Sequence, residues 1–162
     1  MSTDFRWGIL ASGGIATAFA RDLSYFNNHI VAAVGSRSQE SADAFATEFP
    51  GCVAYGSYEE LVNDPTLDAI YVATPHPYHV SNTVLALNAG KPVLCEKPFT
   101  INAGEAREMK AAADANGVAL MEAMWARFLP HMHRVRDILA SGVLGEIWAV
   151  EADHGQRLSD YA

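Results

Sequence analysis

The sequence predicts an α/β fold, an open and doubly wound sheet of parallel strands with helices on both faces. Three observations predict it. Apolar runs and amphipathic stretches alternate from the amino end to residue 124, the rhythm that parallel strands and their crossover helices require. The first turn in that rhythm, "ASGGIA" at 11–16, is glycine-rich. The residues least suited to a core stand where the apolar runs end. In a sheet with right-handed crossovers those places share one rim.

"FRWGIL" (5–10) reads as the first strand. Residues 13–26 have helical spacing, with Ile15, Phe19, Leu23 and Phe26 expected on the inward face. "HIVAAVG" (29–35), rich in β-branched residues, is the second strand. Residues 38–49 form a helix with Ala42, Phe45, Ala46 and Phe49 inward, stopped by Pro50 and Gly51. "CVAY" (52–55) is a short third strand. Residues 57–64 open like a capping box, Ser57 with Glu60, and close before Pro65. "DAIYVAT" (68–74) is a buried strand. Residues 77–90 are a helix with Pro77 in its first turn and Gly90 past its end. "KPVLCE" (91–96), a helix over 101–117, a strand over 118–124 and a helix over 128–142 follow. "GEIWAVEADHG" (145–155) then alternates like a half-exposed antiparallel strand. It breaks the rhythm and is expected to begin a second, incomplete domain. The expected division is 1–122 for the dinucleotide-binding domain and 123–162 for the connection and the start of the next.

Composition narrows the function. The 162 residues suit one ordinary domain, half hydrophobic and 19% charged. A net charge of −8 with no basic run disfavours nucleic acid and anionic membrane as partners. Cys52 and Cys95, the only cysteines, make no disulfide framework, so a reducing cytoplasm is expected. The first residues lack the basic and apolar regions of a signal peptide, and no apolar run approaches the roughly 18 residues of a membrane span.

Five loops of the expected rim carry candidate chemistry. Ala11, Ser12, Gly13, Gly14 and Ile15 lie where G-x-G-x-x-G/A belongs, with Ala11, Gly13 and Ala16 in register. There a backbone approaches a pyrophosphate and a helix N-terminus holds its charge. The second strand ends in Ser36 and Arg37 with no acid to take a ribose 2′-hydroxyl, which favours a 2′-phosphate and so NADP over NAD. Thr74, Pro75, His76 and His79 follow the fourth strand. The two histidines are expected to line the cleft or cap the helix. No metal site is expected, because no cysteine or carboxylate stands at matching spacing. Glu96 and Lys97 follow the fifth strand. Lys97 suits proton donation to a carbonyl oxygen or stabilisation of an alkoxide, and Glu96 suits orienting it or binding a ribose. Trp125 and Arg127, an aromatic wall and a guanidinium on the next loop, suit a nicotinamide or sugar site and are expected to bind the cofactor.

These stretches, "GILASGGIA", "VGSRS", "ATPHPYH", "NAGKPVLCEKPFT" and "GEI", resemble the glucose–fructose oxidoreductase/inositol dehydrogenase family (Gfo/Idh/MocA). "EAMWARFLP" resembles its branch of NADP-dependent dihydrodiol and D-xylose dehydrogenases. The resemblance implies a Rossmann domain followed by an α+β domain whose open sheet often forms a homo-oligomer interface. Members are commonly about twice this length, so the chain is expected to be truncated. It also implies a small carbohydrate or diol substrate. Lys97 is implied as the catalytic or nicotinamide-orienting lysine before a cis proline, Arg37 as the phosphate arginine, and His76, His79 and Trp125 as cleft residues. Ala11 departs from the family's first glycine. The further acid/base residue is expected beyond Ala162. The expected activity is NADP-linked oxidation or reduction of a sugar, polyol or diol; the alternative is a non-catalytic NADP-binding or redox-sensing module.

Overall fold

The computed structural model describes residues 4–153 and Gly155. Two units divide the chain, Met1–Met124 and Trp125–Ala162.

In the first unit the described strands form one sheet: β1 Phe5–Leu10, β2 His29–Gly35, β3 Val53–Tyr55, β4 Ala69–Val72, β5 Val93–Cys95 and β6 Leu120–Glu122. Their order is β3-β2-β1-β4-β5-β6, and every neighbouring pair is parallel. The chain runs outward from β1 to β3, then returns to place β4 on the other side of β1. That reversal opens a crevice between the ends of β1 and β4, where ligands enter such sheets.

The crossovers are α1 Gly14–Leu23, α2 Gln39–Ala46, α3 Tyr58–Val62, α4 His79–Asn88 and α5 Ala103–Asn116. Local chemistry sets their ends. Ser38 Oγ accepts the Ser41 N–H and Ser57 Oγ accepts the Glu60 N–H. Asn102 Oδ1 accepts the Glu105 N–H while the Glu105 carboxylate accepts the Ile101 N–H. Each satisfies a donor that the first helical turn leaves unpaired. Gly117, at φ 65°, closes α5 in the left-handed conformation.

Alternation along the strands makes two cores. Leu10, Ile70 and Val72 face one side with Leu61, Leu87 and Met109 of α3, α4 and α5. Ile9, Val34 and Tyr71 face the other with Ala16, Ala20 and Phe45 of α1 and α2. The buried stripe of α1 differs from the expected one. Ala16, Ala20 and Leu23 are inward, whereas Ile15 and Phe26 are exposed. Two alanines on the sheet side let the helix backbone come close, and the larger side chains are left to the flanks. Phe19 keeps a half-buried place, its ring 3.9 Å from that of Tyr71.

The second unit begins with a 3-10 turn, Trp125–Phe128, and α6, Pro130–Ala140. Arg136 Nη1 donates to the Arg127 carbonyl at 3.0 Å. The strand expected over 145–155 is not formed among the described residues; His154 and residues 156–162 lie outside them. A strand exists only with a ladder partner, and no described segment pairs with this one. Among the described residues no helix is long and apolar enough to cross a membrane.

Candidate functional site

A cleft of about 950 Å³ lies across the carboxyl ends of β1, β2, β4 and β5. The turn after β1 gives it Ala11, Ser12, Gly13 and Ile15. The Ala11 N–H donates to the Gly35 carbonyl, and Ala11 has a φ of 102°. Gly13 precedes α1 with extended backbone and makes no side-chain cap. No acid stands in the first turn. A Cβ built on Gly13 or Gly14 would meet nothing within 4 Å. The turn is therefore open to solvent, and the unpaired N–H groups of α1 suit an anion.

Beyond β2 the wall is Ser36, Arg37, Ser38 and Ser41, with Tyr58 from α3. Ser36 is buried, its Oγ 3.3 Å from that of Ser12. Arg37 is exposed. Among the described residues the ion pairs are Arg21–Glu48 and Lys110–Asp114, so Arg37 and Lys97 enter none. Burial raises the pKa of Tyr58, and the positive charge of Arg37 pulls against that rise.

Past β4 stand Ala73, Thr74, Pro75, His76, Tyr78, His79 and Asn82. Asn82 Nδ2 donates to Thr74 Oγ1 at 3.2 Å. His79 is fully buried. Its Nε2 lies 2.8 Å from the Thr74 carbonyl and its Nδ1 2.9 Å from the Pro98 carbonyl. The imidazole thus lies between the β4 and β5 rims, each ring nitrogen facing a backbone carbonyl, and the tautomer sets which of the two accepts its N–H. His76 remains exposed, its ring centroid 5.4 Å from that of His79.

Past β5 come Glu96 and Lys97. The Glu96 N–H continues the ladder to the Val72 carbonyl. Its buried carboxylate accepts the Tyr71 hydroxyl at 2.5 Å and the backbone N–H of Lys97 at 2.9 Å. Burial, then the hydrogen bond and charge of Glu96, push the Tyr71 phenol far above its ordinary value. The Lys97–Pro98 peptide is cis. Phe99 N–H donates to Glu122 Oε1 on β6 at 2.9 Å. Burial holds the thiols of Cys52 and Cys95 up at about 11, which removes thiolate chemistry near neutral pH.

The structure thus brings Ala11, Ser12, Gly13, Ile15, Ser36, Arg37, Thr74, Pro75, His76, His79, Glu96 and Lys97 to one cleft. Gly14 adjoins it as the first residue of α1. Trp125 and Arg127 belong to the second unit, on its opening 3-10 turn. Sequence reasoning missed Ser41, Tyr58, Asn82, Tyr71 and Glu122. Asn82 carried a signal, since it lies three residues past His79 on the same helical face. Tyr71 carried another: a phenol in an apolar strand needs a partner for its hydroxyl.

A parallel sheet of this order, with an open helix N-terminus and a cleft across the switch point, defines a dinucleotide-binding α/β protein. The chain belongs to the Gfo/Idh/MocA family, described as an oxidoreductase family with an NAD-binding Rossmann fold, which matches residues 5–124. The trans-1,2-dihydrobenzene-1,2-diol dehydrogenase of Mus musculus is 47% identical over 156 residues, 95% of this chain and 47% of that one. The D-xylose 1-dehydrogenase (NADP(+)) of Hypocrea jecorina is 43% identical over 160 residues, 91% of this chain and 41% of that one. The crystal structure of a 3-ketoreductase from Actinomadura kijaniata in complex with NADP superimposes with a TM-score of 0.80 at 33% identity, covering 89% of this chain and 46% of that one. The chain spans about half the length of the curated relatives it matches.

Proposed function

We propose that this chain binds NADP and serves a dehydrogenase acting on a sugar, polyol or diol. One observation carries the reading: a single cleft joins the open glycine turn, Arg37 and Lys97. The donors fit the group. Gly13 and Gly14 leave room for a pyrophosphate against the N-terminus of α1. Ser36, Arg37, Ser38 and Ser41 offer hydroxyls, a guanidinium and no carboxylate to a 2′-phosphate. The names of the relatives, with their diol, sugar and NADP, support the same choice.

When bound, the cofactor supplies the hydride carrier. Lys97 has the proton's part. Its ammonium enters no described ion pair, so Nζ is available to hold a substrate oxygen and give it a proton as a carbonyl is reduced. His79 packs between the loop that carries Lys97 and the β4 rim, its ring within hydrogen-bond distance of the Pro98 and Thr74 carbonyls.

Titration of wild type and Arg37→Ala with NADP and with NAD tests the reading. Wild type is expected to favour NADP. Arg37→Ala is expected to lose NADP affinity by about 30-fold, the loss of one charge-assisted contact of about 2 kcal/mol, with NAD affinity unchanged. Equal affinity of wild type for the two cofactors overturns it.

A further inference from the structure

We propose that Tyr71 is a positioning residue for Lys97, acting through Glu96. The inference rests on the reading of Lys97 as the proton donor, and it starts from an oddity of the core. Tyr71 sits in the middle of β4 at 1% exposure, between neighbours that are all buried. A phenol there is costly unless its hydroxyl is bonded. The partner is neither backbone nor another core group but Glu96 Oε1, at 2.5 Å and 25 residues away.

The other oxygen of that carboxylate accepts the Lys97 N–H at 2.9 Å. Glu96 is itself held by the ladder bond to Val72. The carboxylate is therefore a strap from the interior of β4 to the backbone of Lys97, and both its oxygens face donors. Phe19 stacks on the Tyr71 ring at 3.9 Å and 21°, which fixes the direction of the hydroxyl. On the far side Glu122 takes the Phe99 N–H. The three residues 97–99 are thus clamped from β4 through Glu96 and from β6 through Glu122, while the Lys97 ammonium stays out of the clamp. Glu96 orients Lys97 by its main chain rather than by an ion pair with its side chain.

Tyr71→Phe keeps the ring, its volume and the stack on Phe19, and removes only the hydroxyl. Amide hydrogen exchange on the chain reads the backbone directly. The Lys97 amide is expected to exchange about tenfold faster in Tyr71→Phe, as follows from losing a hydrogen bond to a charged group, while amides of β1 and α2 keep their rates. In a dehydrogenase assay with NADP, kcat is expected to fall about tenfold with the KM for NADP unchanged. Tyr71→Phe combined with Glu96→Ala is expected to lose no more rate than Glu96→Ala alone, because without the carboxylate the Tyr71 hydroxyl has nothing through which to act. An unchanged Lys97 amide, acceleration spread evenly over the sheet, or additive losses would each overturn the proposal. Lys97→Ala separates the two readings. Full turnover in that variant refutes Lys97 as proton donor, and the exchange result still decides whether Tyr71 holds its backbone.

Discussion

Ala11 is the only non-glycine residue among the described residues with a positive φ, 102°. It occupies the first position of the turn where a glycine is expected. A side chain held in such a sparsely populated region costs about 1–3 kcal/mol. Ala11→Gly removes that strain. Against it stand two smaller losses. Glycine is freer in the unfolded chain, worth about 0.4–1 kcal/mol. The half-buried methyl also gives up part of the roughly 0.8 kcal/mol of a buried carbon. The balance is a stabilisation of about 1 kcal/mol.

Urea unfolding followed by tryptophan fluorescence reads this directly, since Trp7 lies on β1 just before the turn. With a slope of about 2 kcal/mol/M for a domain of this size, the midpoint should rise by about 0.5 M at unchanged slope. A midpoint that is unmoved or lower, with the slope preserved, refutes the claim that Ala11 stores strain. The contact that keeps the residue there is visible: its N–H is pinned to the Gly35 carbonyl at 3.0 Å, so the backbone cannot relax without breaking the link between the β1 and β2 rims.

Two further stability measurements follow from the same rim. A Cβ added at Gly35 would lie 2.8 Å from Leu61 Cβ and 3.1 Å from the Ser57 carbonyl oxygen, so Gly35→Ala must push α3 off β2. It should cost about 1–3 kcal/mol by thermal or urea unfolding, and a variant as stable as wild type would show that α3 can shift freely. Burial alone would raise the pKa of Asp64, but hydrogen bonds from the Thr66 N–H and hydroxyl and from Tyr55, with the charge of Lys91, hold it below the ordinary carboxylate value. A depressed folded pKa gives stability that is present above the unfolded pKa of about 3.9 and is lost as pH falls through the folded value. Asp64→Asn should therefore destabilise at neutral pH and lose that penalty progressively as pH falls below the unfolded pKa of about 3.9; a penalty that does not shrink in acid would assign it to packing.

The layers of the fold are readable in the sequence because each is a local property. Parallel strands buried on both faces appear as unbroken apolar runs such as 69–73, and Ser38, Ser57 and Asn102 announce helices through bonds to residues three positions on. Rim loops could be named for the same reason, since each begins where a run ends. Two features fail that condition. The inward face of α1 depends on how closely a helix approaches the sheet, and periodicity weighted by size chooses Ile15 and Phe26 where the packing chooses Ala16 and Ala20. The segment 145–155 alternates as a strand does, yet strandedness belongs to a pair, and no described partner is present.

The site divides along the same line. Lys97 and Arg37 stand out in the sequence because a charge at the end of an apolar run is anomalous wherever its partners are. What Glu96 does could not be read that way. Its role depends on β5 lying beside β4, so that an acid just past Cys95 faces a phenol on a strand more than twenty positions earlier. Sequence proximity shows only that Glu96 can orient Lys97 or bind a ribose, without saying through which atoms. The sheet order hands the carboxylate to Tyr71 and to the Lys97 main chain. An ionisable pair at a strand end is thus two devices, one fixing the loop and one left free for chemistry, and only the neighbouring strand shows which is which.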